Sequence, residues 1–337
     1  MDRFIVGSGR CGSTLLSRML SHHPKLLSLF EFFTGLEIDK RFLPGRLAGS
    51  DLVDFLGAEQ PVVTAVMKRG YPVSEVVYPF DDPASRFRLG DPVPWLLVTL
   101  LPRITDQPDR LFDEVLEHLA GREEQTRAEH YRGLFDWLCQ RLGRDVWVER
   151  SGSSIDYLAG LVELFPEARF VHLHRDGREV ALSMREHHAY RLPISLMYDA
   201  PLHDGSRVSE LGAIDINAVP DPGDPISRIL ASRPPPEYFG RYWNDQILRG
   251  FEAAKGLASD RYLEVAFEAL VRDPEAALRQ ISEFLEIDSD GDWSWIEAAA
   301  ALVRGVPPTR FESLSASEQR ALEEACASGT RLLGRAS

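Results

Sequence analysis

Short apolar runs alternate with stretches of helical spacing at both ends of the chain. Phe4-Ile5-Val6 is a buried-strand run closed by Gly7. After a small, polar, glycine-rich loop over 8–13, residues 14–20 place Leu15, Leu16, Met19 and Leu20 on one helical face. Pro24 stops that helix, and residues 25–30 read as a second strand. Order of the same kind returns with the strand Val146-Trp147-Val148, a helix over 155–165 ended by Pro166, and a strand over 169–174. Asp176 is the expected N-cap of a helix over 178–187. A helix over 238–257, a late strand over 262–265 and a helix over 274–285 follow. This alternation predicts an α/β fold with a mostly parallel central sheet flanked by helices.

Two stretches interrupt the alternation. Residues 40–145 carry a mostly helical pattern, broken at Pro44, Pro61, Pro92, Pro94 and Pro102, and clearest over 111–119 and 131–142. Residues 189–236 are rich in Pro, Asp, Gly and Ser, with the run Pro220-Asp221-Pro222-Gly223-Asp224-Pro225 and the trio Pro234-Pro235-Pro236. The first reads as a helical insertion that shapes a pocket, the second as an irregular, lid-like insertion. Residues 1–337 are expected to form a single domain around them.

Composition narrows the function. The 337 residues are 44% hydrophobic and 27% charged, which is ordinary globular usage, and carry a formal net charge of -14. Such a charge argues against a nucleic-acid partner but leaves room for a local basic pocket, and arginines and histidines do cluster over 169–191. Cys11, Cys139 and Cys326 imply neither a disulfide framework nor a zinc site. Phe4-Ile5-Val6 is too short for the core of a signal peptide, and no apolar run approaches the roughly 20 residues of a membrane span, so a cytoplasmic protein is expected. Oligomeric state is not readable from the pattern.

The chemistry starts in the first loop, Gly7-Ser8-Gly9-Arg10-Cys11-Gly12-Ser13-Thr14, which follows a strand and opens a helix. Backbone N–H groups and the positive helix end suit an anion there, with Ser13 and Thr14 adding hydroxyl donors. Gly7 and Gly12 have the separation of the ATP-binding loop, but Ser13 stands where that loop has its lysine, and no convincing aspartate for magnesium appears elsewhere. Arg10 supplies the positive charge instead. The second segment runs from Arg169 to Ser183, with Arg175 at a strand end and Ser183 in the next helix. An arginine at that place suits a two-pronged contact to phosphate.

With Gly9 through Thr14 and Arg175 through Ser183 together, the sequence resembles the PAPS-dependent sulfotransferases. Val148-Glu149-Arg150-Ser151 is similar to the family's EK(T/S)P segment, with arginine for lysine and Gly152 for proline. Residues 262–285, including Glu268-Ala269-Leu270-Val271-Arg272-Asp273-Pro274, are similar to its YEDL…DP…FL segment. Gly177 stands where the family commonly has proline. The resemblance covers about 4–34, 146–188 and 238–287, and implies a P-loop-like sulfotransferase fold with helical insertions, of a bacterial or carbohydrate-type branch.

The resemblance also implies roles. Arg10, Cys11, Gly12, Ser13 and Thr14 would hold the 5′-phosphosulfate of PAPS, and Arg175 and Ser183 the 3′-phosphate, with PAP as product. The acceptor would be a hydroxyl on a small molecule, lipid or carbohydrate. No metal is expected, because the sulfuryl group carries less negative charge than a terminal phosphate. Arg10 is the candidate for stabilising the sulfuryl group and leaving oxygen, and Glu31 is the leading candidate base, with His187 and His188 as rivals. His172 and His174 read as strand-edge residues. Trp243 and Tyr242 suit either an adenine stack or the core, and Arg304 or Arg310 is a weaker nucleotide-contact candidate. A P-loop nucleotide kinase-like phosphotransferase and a non-catalytic PAP- or PAPS-binding protein are the alternatives.

Overall fold

The structure, a computed structural model, describes residues 1–287 and 293–334. They fall into two compact units. The first comprises Met1–Ala58, Trp95–Arg175 and Arg249–Pro307; the second comprises Glu59–Pro94, Asp176–Leu248 and the chain from Pro308 on.

Among the described residues, the first unit holds every strand. In chain order these are β1 (Arg3–Val6), β2 (Leu26–Phe30), β3 (Arg46–Leu47), β4 (Gln125–Thr126), β5 (Val146–Arg150), β6 (Arg169–His174) and β7 (Tyr262–Ala266). Strands β3 and β4 form a small antiparallel ribbon. The other five make one sheet in the order β2-β5-β1-β6-β7, parallel at every pairing. The mostly parallel sheet of the sequence reading is therefore present. Its strands are buried along their length except at β7 and the first residues of β5 and β6, as expected when helices cover both faces.

Alternation along the strands sorts two apolar layers. On one face Ile5, Val148, Val171 and Leu173 pack with Leu16, Met19 and Leu20 of α1 (Ser13–Leu20) and with Leu278, Ile281 and Leu285. On the other, Phe4 stacks on Phe170 and meets Trp147 and Phe165, while Phe33 and Phe135 extend the aromatic layer. Each of these side chains contributes about 1.5–3 kcal/mol on burial. Because the strands are parallel, the loops after β1, β2, β5 and β6 all leave the same edge, and β1 stands between β5 on one side and β6 on the other. That is the edge where open α/β sheets bind ligands.

The second unit is helical. Its elements include Pro61–Lys68, Gly177–Arg185, His188–Met197, Pro225–Ala231 and Ala316–Leu332, with Pro236–Ala254 contributing up to Leu248. Trp243 is fully buried there, against Gly177 and Gly329. A buried ion pair joins Arg69 to Asp224 at 3.0 Å.

Two stretches differ from the sequence reading. Between Pro72 and Pro94 the chain has no helix except where Trp95 begins one, because Pro72, Pro79, Pro83, Pro92 and Pro94 recur too often for one to run. The Pro/Asp-rich stretch, conversely, contains the helices His188–Met197 and Pro225–Ala231. Asp224 accepts from the N–H groups of Ile226 and Ser227, and Pro225 sits at the first helical position. The Asp-Pro pair thus starts a helix rather than breaking one. Among the described residues no helix is long and apolar enough to cross a membrane.

Candidate functional site

The loop after β1 is unusual in its backbone. Gly9, Arg10 and Gly12 take positive φ values of 73°, 51° and 97°. Glycine adopts this region freely; Arg10 does so at a cost of order 1–3 kcal/mol. Gly12 is the N-cap of α1 and offers no capping side chain, so the first N–H groups of the helix are left for another acceptor. The loop is stitched to the turn after β5: Gly7 N–H donates to Ser154 Oγ at 3.2 Å, Ile155 N–H to Gly7 O at 3.2 Å, and Ser153 Oγ to Ser8 O at 3.3 Å.

Cys11 is fully buried, and burial pushes its thiol up, so it stays a neutral thiol at neutral pH rather than a nucleophile. Ser13 is buried, while Thr14 and Arg10 are half-buried.

Arg175 follows β6 directly. Its guanidinium lies over the ring of Phe267, 4.7 Å from the centroid. The same ring fills the space beside Gly12, where a Cβ would stand 2.2 Å from Phe267 Cδ2. Phe267 therefore joins the first loop to Arg175. It opens the helix Phe267–Arg272 after β7. The sequence reading passed over it, although it stands immediately before Glu268 in the segment already singled out.

Glu31 directly follows β2 and is buried, with a left-handed φ of 59°. Contacts on every side hold it there. Its N–H donates to Arg150 O at 2.7 Å, and its carbonyl accepts from the Trp95 indole. One carboxylate oxygen pairs with Arg150 Nη1; the other accepts from Gly152 N–H at 2.8 Å. A strained residue fixed by its surroundings in this way is a pointer to function.

Arg150 is also buried, and Nη2 donates to Thr14 Oγ1 at 3.2 Å. Its guanidinium lies over Phe30 at 3.7 Å, and Arg103 covers Phe30 too, at 3.9 Å. Arg150 Nε is buried with no hydrogen-bond partner among the described residues. The arginine that replaces the family's lysine was noted in the sequence but not assigned to the site. Its neighbour Glu149 is pushed up to about 8, chiefly by burial, and accepts from Ser151 Oγ at 2.5 Å. That hydroxyl accepts in turn from Phe33 N–H at 2.9 Å.

The structure thus runs a continuous line of contacts, Arg175–Phe267–Gly12 and Thr14–Arg150–Glu31, through residues from both sequence motifs and the candidate base. Such an edge, with N–H groups, hydroxyls and guanidinium groups around one carboxylate, can bind anions and take up a proton.

The remaining candidates fall elsewhere. Ser183 is half-buried on Gly177–Arg185 in the second unit, whose N-cap is Asp176, accepting from Arg178 N–H at 2.9 Å. His187 meets Glu75 at 2.8 Å and Ser74 at 3.1 Å. Burial and nearby Arg191 hold His188 below the usual histidine range. Buried His172 bonds through Nδ1 to the Tyr262 hydroxyl at 2.8 Å. Trp243 belongs to the core of the second unit, and Tyr242 is half-buried. Arg310 spends its guanidinium on Glu179, at 3.2 Å to the carboxylate and 2.8 Å to the carbonyl. Arg304 is exposed. No group of three or more His, Cys, Asp or Glu side chains among the described residues is arranged to hold a metal ion.

Comparison with known proteins gives one family. A model of the sulfotransferase family matches residues 100–203 and 233–291. No curated protein matches the sequence. Among solved structures, the chain is similar to the sulfotransferase domain of the olefin synthase of Synechococcus PCC 7002, at 18% identity and a TM-score of 0.49, over 100% of this chain and 95% of that one. It is similar to sulfotransferase STF9 of Mycobacterium avium at 16% identity and a TM-score of 0.45, over 99% and 77%. A mouse sulfotransferase complexed with PAP is similar at 12% identity and a TM-score of 0.42, over 98% and 84%.

Proposed function

We infer that the chain is a member of the sulfotransferase family, whose model matches residues 100–203 and 233–291, and on that premise propose that it moves a sulfuryl group from PAPS to an acceptor hydroxyl by direct in-line transfer, releasing PAP. The observation that carries the reading is Phe267, packed on Gly12 of the first loop and under Arg175 of the second. The donor set suits a nucleotide with two phosphate-bearing ends: N–H groups at the start of α1 with the Ser13 and Thr14 hydroxyls for the 5′-phosphosulfate, and Arg175 for the 3′-phosphate. Ser183 keeps the phosphate-contact role that the resemblance gives it.

In this reading the acceptor oxygen attacks sulfur while the bond from sulfur to the 5′-phosphate oxygen breaks. The electron pair of that bond leaves on PAP. Arg10 and the loop N–H groups stabilise charge on the sulfuryl and leaving oxygens, and loss of one such donor costs on the order of 10²–10³ in rate. The acceptor proton passes to Glu31, whose carboxylate is fixed by Arg150 and Gly152. A carboxylate suffices as base when the proton leaves late, as the new oxygen–sulfur bond forms. The buried neutral thiol of Cys11 favours direct transfer over a covalent thiosulfate route. The acceptor class proposed is a small-molecule, lipid or carbohydrate hydroxyl.

The test is incubation with PAPS labelled on sulfur and a panel of hydroxylated acceptors. Label appearing on an acceptor with wild type and not with Glu31→Gln supports the reading. PAP binding without transfer to any acceptor would make the chain a nucleotide-binding protein. Phosphoryl transfer from ATP with magnesium would make it a kinase.

A further inference from the structure

We propose that Arg150 is a positioning residue for the transfer reaction, holding the base Glu31 and the donor-loop residue Thr14 in fixed relation through the two ends of one guanidinium. This rests on the reading of Glu31 as the base. Three observations support it. Nη1 pairs with Glu31 while Nη2 donates to Thr14 Oγ1 at 3.2 Å, so one planar group spans both. The Phe30 ring, 3.7 Å from the guanidinium, fixes its plane. The side chain is buried together with the carboxylate it holds, so neither has water to turn into. A guanidinium presents two nitrogens in a rigid fork; an ammonium presents one. The arginine at this place gives the chain a two-point brace between proton acceptor and donor loop.

The groups that face Glu31 are few. From β5 come Arg150 and the Glu149 carboxyl, and from the turn Ser154–Tyr157 comes the Tyr157 hydroxyl. Arg103 lies across Phe30, and the Trp95 indole binds the Glu31 carbonyl. Among the described residues, Arg150 is the cation paired with the Glu31 carboxylate. Removing it releases the carboxylate and the Thr14 hydroxyl from their shared partner. The effect belongs in kcat rather than in PAP affinity, a split that a purely structural role would not produce.

The experiment measures kcat, KM for the acceptor and, by calorimetry, PAP affinity for wild type, Arg150→Gln, Arg150→Lys and Glu31→Gln. In Arg150→Gln kcat falls on the order of 100-fold while PAP affinity falls much less. Arg150→Lys also loses kcat, since one nitrogen cannot occupy both guanidinium positions. Wild-type kcat in Arg150→Gln overturns the proposal, as does a loss of PAP affinity as large as the loss of kcat, or wild-type kcat in Arg150→Lys, which also decides the matter if the glutamine variant does not fold. Glu31→Gln separates the two failures. Wild-type activity there overturns the base reading and this proposal with it; an inactive Glu31→Gln beside wild-type kcat in Arg150→Gln overturns the Arg150 assignment alone.

Discussion

Gly12 and Phe267 meet so closely that residue 12 has no room for a side chain. A Cβ there would lie 2.2 Å from Phe267 Cδ2 and 2.5 Å from Cε2. Gly12 also holds a φ of 97°, outside the range of ordinary residues. The glycine is thus required twice, by the backbone of the first loop and by the ring that carries Arg175.

Gly12→Ala should destabilise the protein by about 1–3 kcal/mol for the overpacking, with a further cost for the backbone. PAP affinity should fall with it, because the start of α1 is displaced. Adding Phe267→Ala to Gly12→Ala should recover the packing part of the stability loss and leave the affinity low. Urea unfolding and calorimetry on the single and double variants check both. A Gly12→Ala protein with wild-type stability and affinity would show that the contact is not as tight as described.

Glu149 makes a prediction about stability and pH. Its carboxyl is pushed up to about 8 in the folded chain; in the unfolded chain it titrates near 4.3. Between those values the folded state binds the extra proton. The stability from this group is therefore complete below the unfolded value and is lost as pH rises through about 8, at no more than about 1.4 kcal/mol per pH unit. Glu149→Gln lacks that exchange. Its unfolding free energy should fall less than that of wild type between about pH 5 and pH 8, by the linkage sign above. Urea titrations at a series of pH values measure the difference, and parallel curves would contradict it.

Cys11, Cys139 and Cys326 are all buried, and burial pushes all three thiols up, Cys139 to about 12. The native protein should resist thiol-directed alkylation near neutral pH and keep its activity, and label only after unfolding. Fast inactivation through Cys11 would reopen the covalent route.

Most of the sheet was legible in the sequence because its strands are short apolar runs bounded by glycine, proline or charge. The strand Arg169–His174 and the N-cap Asp176 could be read from adjacent residues alone. The loop residues Arg10 to Thr14 and Arg175 were legible for the same reason, as a local order of residues beside a strand end. What could not be read depends on residues brought together from far along the chain. Phe267 has no local mark, since its partner Gly12 lies at the other end of the sequence. The left-handed backbone of Glu31 is invisible too, because nothing in a glutamate signals it; Arg150 and Trp95 impose it from other elements. Gly177, which stands where proline is common, gains its reason only with Trp243, whose ring would lie 2.4 Å from a Cβ at that place. The helices of the Pro/Asp-rich stretch were missed because proline was read as a breaker where, after Asp224, it starts a helix.

The central claim is a nucleotide site built on the first loop and Arg175, and calorimetric titration with PAP of wild type and Arg175→Ala tests it most directly. The account predicts saturable binding by wild type without magnesium and a loss of roughly 10- to 100-fold in Arg175→Ala, the scale of one charged hydrogen-bonding group. No binding of PAP by the wild type, or equal affinity in Arg175→Ala, would contradict it.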